Sequence, residues 1–139
     1  MKFHRSVEAR RRIGWFLAVA LLASGCGQSG PATYPVAGTV TFNGGPLTDG
    51  SIVFMSADNS VAPDAGMIRD GRFAFQSKPG KKKVEIRAVR EVGKVIPAMG
   101  VAARESYLPA KYNSQTILTA EVVAGGANQF PFELKDDAK

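Results

Sequence analysis

The sequence predicts an all-β protein, built as a single antiparallel, seven-stranded Greek-key sandwich. Apolar and polar residues alternate in several short segments, which is the period of strands with one buried face. Asn-Gly, Asp-Gly and Gly-Gly pairs separate these segments at fairly regular spacing, and such pairs supply the positive φ angles of tight turns. Almost no stretch after residue 25 carries the longer period of a helix. Short strands separated by turns in this way are typical of antiparallel sandwiches with Greek-key links.

Each predicted strand depends on a local pattern and on the turn that ends it. In the first strand, alternate positions from Val36 to Phe42 are apolar or glycine. The longest alternating stretch puts Val84 and Ile86 on one face and oppositely charged residues on the other, as in a half-solvated strand. Pro131 predicts an edge position for the last strand, because proline cannot donate to a ladder. The seven predicted strands cover residues 34–42, 51–55, 67–69, 72–75, 81–92, 116–123 and 129–134.

The alternation stops between residues 91 and 113. This stretch contains two glycines and two prolines, which predict a long crossover connection with a short helical turn near residues 101–105. Because loops carry binding residues more often than core strands do, residues 95–113 are the candidate binding surface.

The first 25 residues differ from the rest in composition. Basic residues dominate as far as Arg12, an uncharged apolar run begins at Ile13, and small residues precede Cys26. This order of regions is typical of a secretory signal peptide, and the run is shorter than the ~20 apolar residues of a transmembrane helix. We expect a signal helix over residues 1–25, a flexible tether over 26–33 and one folded domain over 34–139.

The segment Ala23-Ser24-Gly25-Cys26 resembles the lipobox of bacterial lipoproteins. Leucine is usual three residues before the cysteine in that family, and here the position holds Ala23, with Leu22 one step earlier. The resemblance implies cleavage before Cys26 and acylation of its thiol, as with palmitate, and of its new amine. Two acyl chains give stable membrane attachment. The alternatives are a plain secretory signal that is cut near a cysteine and an uncleaved anchor.

The residue after the cysteine bears on location. It is Gly27 rather than the aspartate that favours inner-membrane retention in well-studied two-membrane bacteria. The resemblance therefore implies an exported protein that is lipid-anchored to the outer membrane and faces the periplasm or the surface.

Composition excludes several classes of function. Five of the 18 Lys and Arg residues and one of the 12 Asp and Glu residues precede Cys26, so the formal charge of +6 falls to +2 after the signal. This small charge argues against nucleic-acid binding, which needs a concentrated basic face.

The only histidine is His4, and the only cysteine is Cys26. The folded domain therefore lacks the residues of Ser-His-Asp, Cys-His and His-ligated zinc sites, and we expect no cofactor, no metal and no enzymatic activity.

Three segments carry a second family resemblance. Residues 36–47 join a glycine-containing strand to a short turn, Asp70-Gly71 precedes an aromatic strand, and residues 79–86 follow at the usual interval. In these features the domain resembles the transthyretin-like, carboxypeptidase regulatory-like β-sandwich domains. Residues 107–134 look more like small lipoproteins of planctomycete-type bacteria, which carry the same domain after a lipobox. The resemblance implies a module that is usually non-catalytic, although fold alone does not decide function.

Two groups of residues are candidates for ligand binding. Lys81, Lys82 and Lys83 could grip anionic polysaccharide or lipid headgroups, although such a run more often solvates a strand end and discourages edge pairing. Tyr107 and Tyr112 could stack on sugars or, with the leucine between them, close the open end of the sandwich.

These observations predict a membrane-anchored envelope lipoprotein that displays a non-catalytic binding or structural module. Its partners would be the membrane, through the lipidated Cys26, and an envelope protein or polysaccharide. The alternative is a carbohydrate-binding module that uses residues 95–113. A small hydrolase is less expected, because the hydrolases that share the resembled fold depend on histidines.

Overall fold

The computed structural model describes residues 30–137, and of Ile96 only the backbone. This range holds ten strands, one short 3-10 helix at Ala110–Tyr112 and no α-helix, which confirms the predicted all-β class. The predicted signal helix, Cys26 and most of the predicted tether lie outside the described residues. The strands are β1 (Tyr34–Phe42), β2 (Gly45–Pro46), β3 (Asp49–Ser56), β4 (Asp64–Arg69), β5 (Arg72–Ser77), β6 (Gly80–Arg87), β7 (Val89–Ile96), β8 (Val101–Ser106), β9 (Thr119–Val122) and β10 (Asn128–Leu134).

Eight of these strands form one curled, mostly antiparallel sheet, a half-barrel. Its order is β10-β1-β5-β4-β3-β6-β9, with the short β2 paired to β1. The pairing of β1 with β10 is parallel, and the other pairs are antiparallel. The single pair Arg69↔Arg72 joins β4 to β5, so the pairing continues from one half of the sheet into the other.

The two halves of the sheet enclose an aromatic core. The ring of Phe54 on β3 meets Phe75 on β5 and Phe130 on β10 edge to face, with centroids 5.2 and 5.7 Å apart, a favoured geometry for aromatic pairs. Gly38 allows β1 to approach this cluster, because a Cβ there would lie 1.9 Å from the carbonyl oxygen of Phe130. Inward positions on the alternating strands supply the aliphatic part of the core: Val36, Val40, Ile52, Ile68, Val84, Ile86, Val122 and Leu134.

The region predicted as a crossover is a β-hairpin instead. The predicted strand 81–92 splits at Ala88 into β6 and β7, and β7 pairs with β8 in a separate two-stranded sheet. The helical turn predicted near residues 101–105 is wrong, since those residues belong to β8. Alternation gave no signal here, because most side chains of both strands are exposed. The predicted edge position of Pro131 is confirmed, because β10 pairs with β1 alone in the described part of the chain.

The curled sheet has two ends, which we name after the residues that bound β1. At the Tyr34 end, β1 and β10 begin, β3 and β9 finish, and β6 begins opposite β3. At the Phe42 end, β1 and β10 finish, and β6 finishes opposite the first residues of β3. The hairpin β7–β8 therefore leaves the sheet at the Phe42 end. No helix within residues 30–137 combines the length and the hydropathy needed to cross a bilayer.

Candidate functional site

Both candidate tyrosines lie at the Phe42 end and pack against the body of the domain. Tyr107 is half-buried, with its ring edge-on to Phe42 at 5.7 Å between centroids. Tyr112 is buried, and its hydroxyl donates to the carbonyl of Lys135 and accepts from the Lys135 amide, at 3.1 and 2.9 Å. Leu108 is buried between them. These contacts agree with the expectation that this segment closes the end of the sheet.

The three candidate lysines lie at the opposite end and point in different directions. Lys81 and Lys83 are exposed on the outer face of β6, whereas Lys82 faces the interior and is only 2% exposed. On the neighbouring strands, Lys82 pairs with Ser56 and Ala120, both at the Tyr34 end. The structure therefore does not bring the lysines together with the tyrosines, and it separates Lys82 from the other two.

The base of the β7–β8 hairpin is charged and tied to the body. Arg90 and Glu105 are directly opposite each other, and their Nη2 and Oε1 atoms are 2.7 Å apart. The neighbouring pair, Arg104 and Glu91, is 3.7 Å apart. Opposite charges across an antiparallel pair favour this register, although exposed ion pairs contribute little to stability. The Arg90 guanidinium also lies 5.7 Å from the centroid of the Tyr107 ring, so the base rests on the segment that closes the Phe42 end.

The tip of the hairpin is apolar and open to solvent. Residues 95–103 contain no charged or hydrogen-bonding side chain and stand between Lys94 and Arg104. Within this run, Val95 is 58% exposed, Met99 70% and Val101 59%. Single exposed apolar side chains are ordinary, but a contiguous group of them marks an interaction surface. Of the predicted surface 95–113, the hairpin part is thus exposed and the part after residue 106 contributes to packing.

Backbone geometry gives this tip its shape. Gly93 has a φ of 73°, and the register of the hairpin shifts between Val92 and Ile96, as at a β-bulge. Gly100 has a φ of 68° in the reversal that follows. Bulges turn and twist a strand and re-aim its side chains. The sequence does mark this tip, as an uncharged run between Lys94 and Arg104. A search for the period of a strand or of a helix does not detect such a run.

The shifted titratable groups belong to separate surface contacts. Partial burial alone would raise the pKa of Asp64, but hydrogen bonds from the Lys78 ammonium, the Lys78 amide and the Ser77 hydroxyl lower it on balance. A hydrogen bond to Asp137 raises the pKa of Lys111. Within residues 30–137, no three His, Cys, Asp or Glu side chains form a group that could hold a metal ion. The carboxylates of Asp64 and Asp137 thus each serve as the local partner of one lysine.

Comparison with known proteins finds no relative of this chain. The chain matches no known family model, no curated protein and no solved structure.

Proposed function

We propose that the chain is a lipid-anchored, non-catalytic envelope protein that presents the tip of the β7–β8 hairpin to a protein partner. The observation that carries this proposal is the group of exposed apolar side chains Val95, Met99 and Val101, at the tip of a hairpin that leaves the sheet at the Phe42 end. The transthyretin-like ancestry and the Greek-key sandwich belong to the same proposal and stay predictions. A non-catalytic role agrees with a sequence that has no histidine after His4 and no cysteine besides Cys26.

A tether at the N-terminus favours a protein partner over a bilayer for this tip. The described chain enters β1 at Tyr34, at the end opposite the one from which the hairpin leaves. A lipid on Cys26 would hold the Tyr34 end near the membrane, because the seven residues between Cys26 and Tyr34 span at most ~25 Å. The tip also contains no aromatic residue, whereas segments that insert into membrane interfaces commonly use Trp and Phe.

The anchor is tested by metabolic labelling of the host with a fatty-acid analogue. We expect the wild-type protein to be labelled and to sediment with membranes. The Cys26→Ser variant should lose the label and appear in the soluble fraction. An unlabelled wild-type protein, or a labelled Cys26→Ser variant, contradicts the lipid anchor.

The hairpin is tested by site-specific photocrosslinking in living cells. A photoreactive amino acid at Met99 should give one discrete adduct with a protein that mass spectrometry identifies, and the same probe at the exposed Gln129 should not. The purified partner should then bind the wild-type chain at least tenfold more tightly than the Val95→Ser/Met99→Ser variant. The Val61→Ser variant, exposed elsewhere, is the matched control. Equal affinity of the partner for both variants would exclude the tip as its binding site.

The carbohydrate alternative has its own measurement. A glycan array that retains the wild-type protein but not Tyr107→Ala would favour sugar binding through residues 95–113. Retention of no glycan, together with a Met99 adduct, favours the protein partner.

A further inference from the structure

Lys82 is a buried cation in a position that an apolar side chain would fill. Lys82 lies on the same inward face of β6 as Val84 and Ile86, and only 2% of its surface is exposed. No ion pair or side-chain hydrogen bond joins its ammonium to another residue of the described part of the chain. A lysine is seldom placed among inward apolar side chains unless it has a partner, so packing alone does not account for a lysine here.

A cavity meets this side chain at the Tyr34 end. Its volume is about 570 Å³, within the range of small-molecule sites. Its lining includes all three lysines of the run, Lys81, Lys82 and Lys83, with Ala120 and Phe130. No side-chain nitrogen or oxygen in residues 30–137 is both sealed from solvent and without a hydrogen bond. The Lys82 ammonium, which has no hydrogen bond to a described residue, is therefore not sealed from solvent, and Lys82 is part of the lining of this cavity.

The cavity exists because the curled sheet does not close. The two edge strands, β9 and β10, are consecutive in the chain, yet β9 pairs with β6 and β10 with β1. Each of these strands thus leaves one edge unpaired in the described part of the chain, and Ala120 on β9 and Phe130 on β10 line the cavity there. The small Ala120 leaves room beside the half-buried ring of Phe130, which supplies an apolar wall.

We propose that this cavity binds a small organic acid with one carboxylate and a short hydrocarbon group. The carboxylate would pair with the Lys82 ammonium, because hydrogen bonds between ions are strongest where water is largely excluded. The hydrocarbon group would cover Ala120 and Phe130. Glu121 is the one acidic side chain of the lining, and it stands opposite the exposed Lys81 on β6, whose charge balances its own. This site is independent of the hairpin tip, which lies at the other end of the sheet.

Hexanoate is the probe, titrated into the full chain and followed by saturation-transfer NMR and calorimetry. We expect saturable binding of hexanoate and at least tenfold weaker binding of 1-hexanol and hexylammonium. Lys82→Met, which keeps length and apolar volume, should weaken hexanoate binding at least tenfold. The matched control Lys94→Met, exposed on β7 beyond the other end of the sheet, should change it less than twofold.

Two further variants test the site even if Lys82→Met does not fold. Ala120→Leu retains the ammonium and fills the cavity, and it should abolish hexanoate binding. Lys82→Gln should weaken binding as Lys82→Met does. We expect the denaturation midpoint of Lys82→Met to equal or exceed that of the wild type, because an apolar residue of similar length avoids burial of the charge. The proposal is wrong if hexanoate does not bind, if hexanol binds equally well, or if the folded Lys82 variants keep wild-type affinity.

Discussion

The side-chain amide of Asn128 occupies the place of a strand partner for the backbone of Val123. Its Oδ1 accepts from the Val123 amide at 2.8 Å, and its Nδ2 donates to the Val123 carbonyl at 3.0 Å. The same Nδ2 reaches the carbonyl of Pro35 at 3.4 Å. One buried side chain thus satisfies the backbone where β9 and β10 fail to pair, and it ties that point to the start of β1.

Asn128→Ala should therefore destabilise the domain by about 2 kcal/mol, since it removes this bridge and leaves the Val123 amide without a partner. The Val123 carbonyl keeps its hydrogen bond from the Gly126 amide. Denaturant unfolding measures the loss, and amide hydrogen exchange at Val123 should become faster. The exposed neighbour Gln129→Ala serves as the control, with an expected change below about 0.5 kcal/mol. Equal stability of the two variants would show that the bridge is dispensable.

Gly38→Ala should be among the most damaging single-methyl additions in this domain. The new Cβ would lie 1.9 Å from the Phe130 carbonyl oxygen and 2.7 Å from Cζ of Phe73, so β1 and β10 must move apart. We expect a loss of roughly 3 kcal/mol or more in the free energy of unfolding. Gly45→Ala is the matched control, because the nearest heavy atom to its Cβ would be 3.9 Å away. A Gly38→Ala domain as stable as the control would contradict this packing.

Tyr112→Phe tests whether the segment after the hairpin is structural. It removes the hydroxyl that bonds to both backbone groups of Lys135, which should cost about 1 kcal/mol. For comparison, the Tyr107 hydroxyl makes no hydrogen bond to another residue of the described part, so Tyr107→Phe should change stability by less than about 0.5 kcal/mol. Urea denaturation of the two variants gives the comparison, and the reverse order would overturn the structural assignment of Tyr112.

Asp64 should make the domain sensitive to acid. Its pKa in the folded protein is lowered from 3.8, so its contribution to stability is present above that value and is lost as the pH falls through the folded pKa. At pH 7, Asp64→Asn should be less stable than the wild type by about 1–2 kcal/mol, because a hydrogen-bonded, partly buried ion pair with Lys78 is lost.

The pH profile gives the sharper measurement for this residue. The difference between wild type and Asp64→Asn should shrink as the pH is lowered from 5 to 2. The Gln129→Ala variant, which changes an exposed side chain that carries no charge, should keep a constant difference from the wild type throughout this range. A difference that stays constant with pH would exclude the ionised Asp64 as its cause.

Alternation predicted well where one face of a strand is buried. β1, β5 and β10 lie close to their predicted positions, and β6 begins within one residue of its predicted start. Burial imposes a period of two on side chains such as Val84 and Ile86. The same rule failed for β7 and β8, whose side chains meet solvent on both faces, so no apolar period marks them. Lys82 stood in the inward register of β6 in the sequence, yet its place in a lysine run suggested a solvated strand end.

The sequence by itself determined the all-β class, the tight turns at Asn43-Gly44 and Asp70-Gly71 and the edge position of Pro131, because each depends on the conformational limits of a few neighbouring residues. Only the tertiary structure decided that β10 runs parallel to β1, that the sheet stays open between β9 and β10, and that Lys82 lines the gap. These features depend on which distant strands meet. That choice follows from the packing of side chains such as Phe54 and Phe130, far apart in the chain, and no local pattern encodes it.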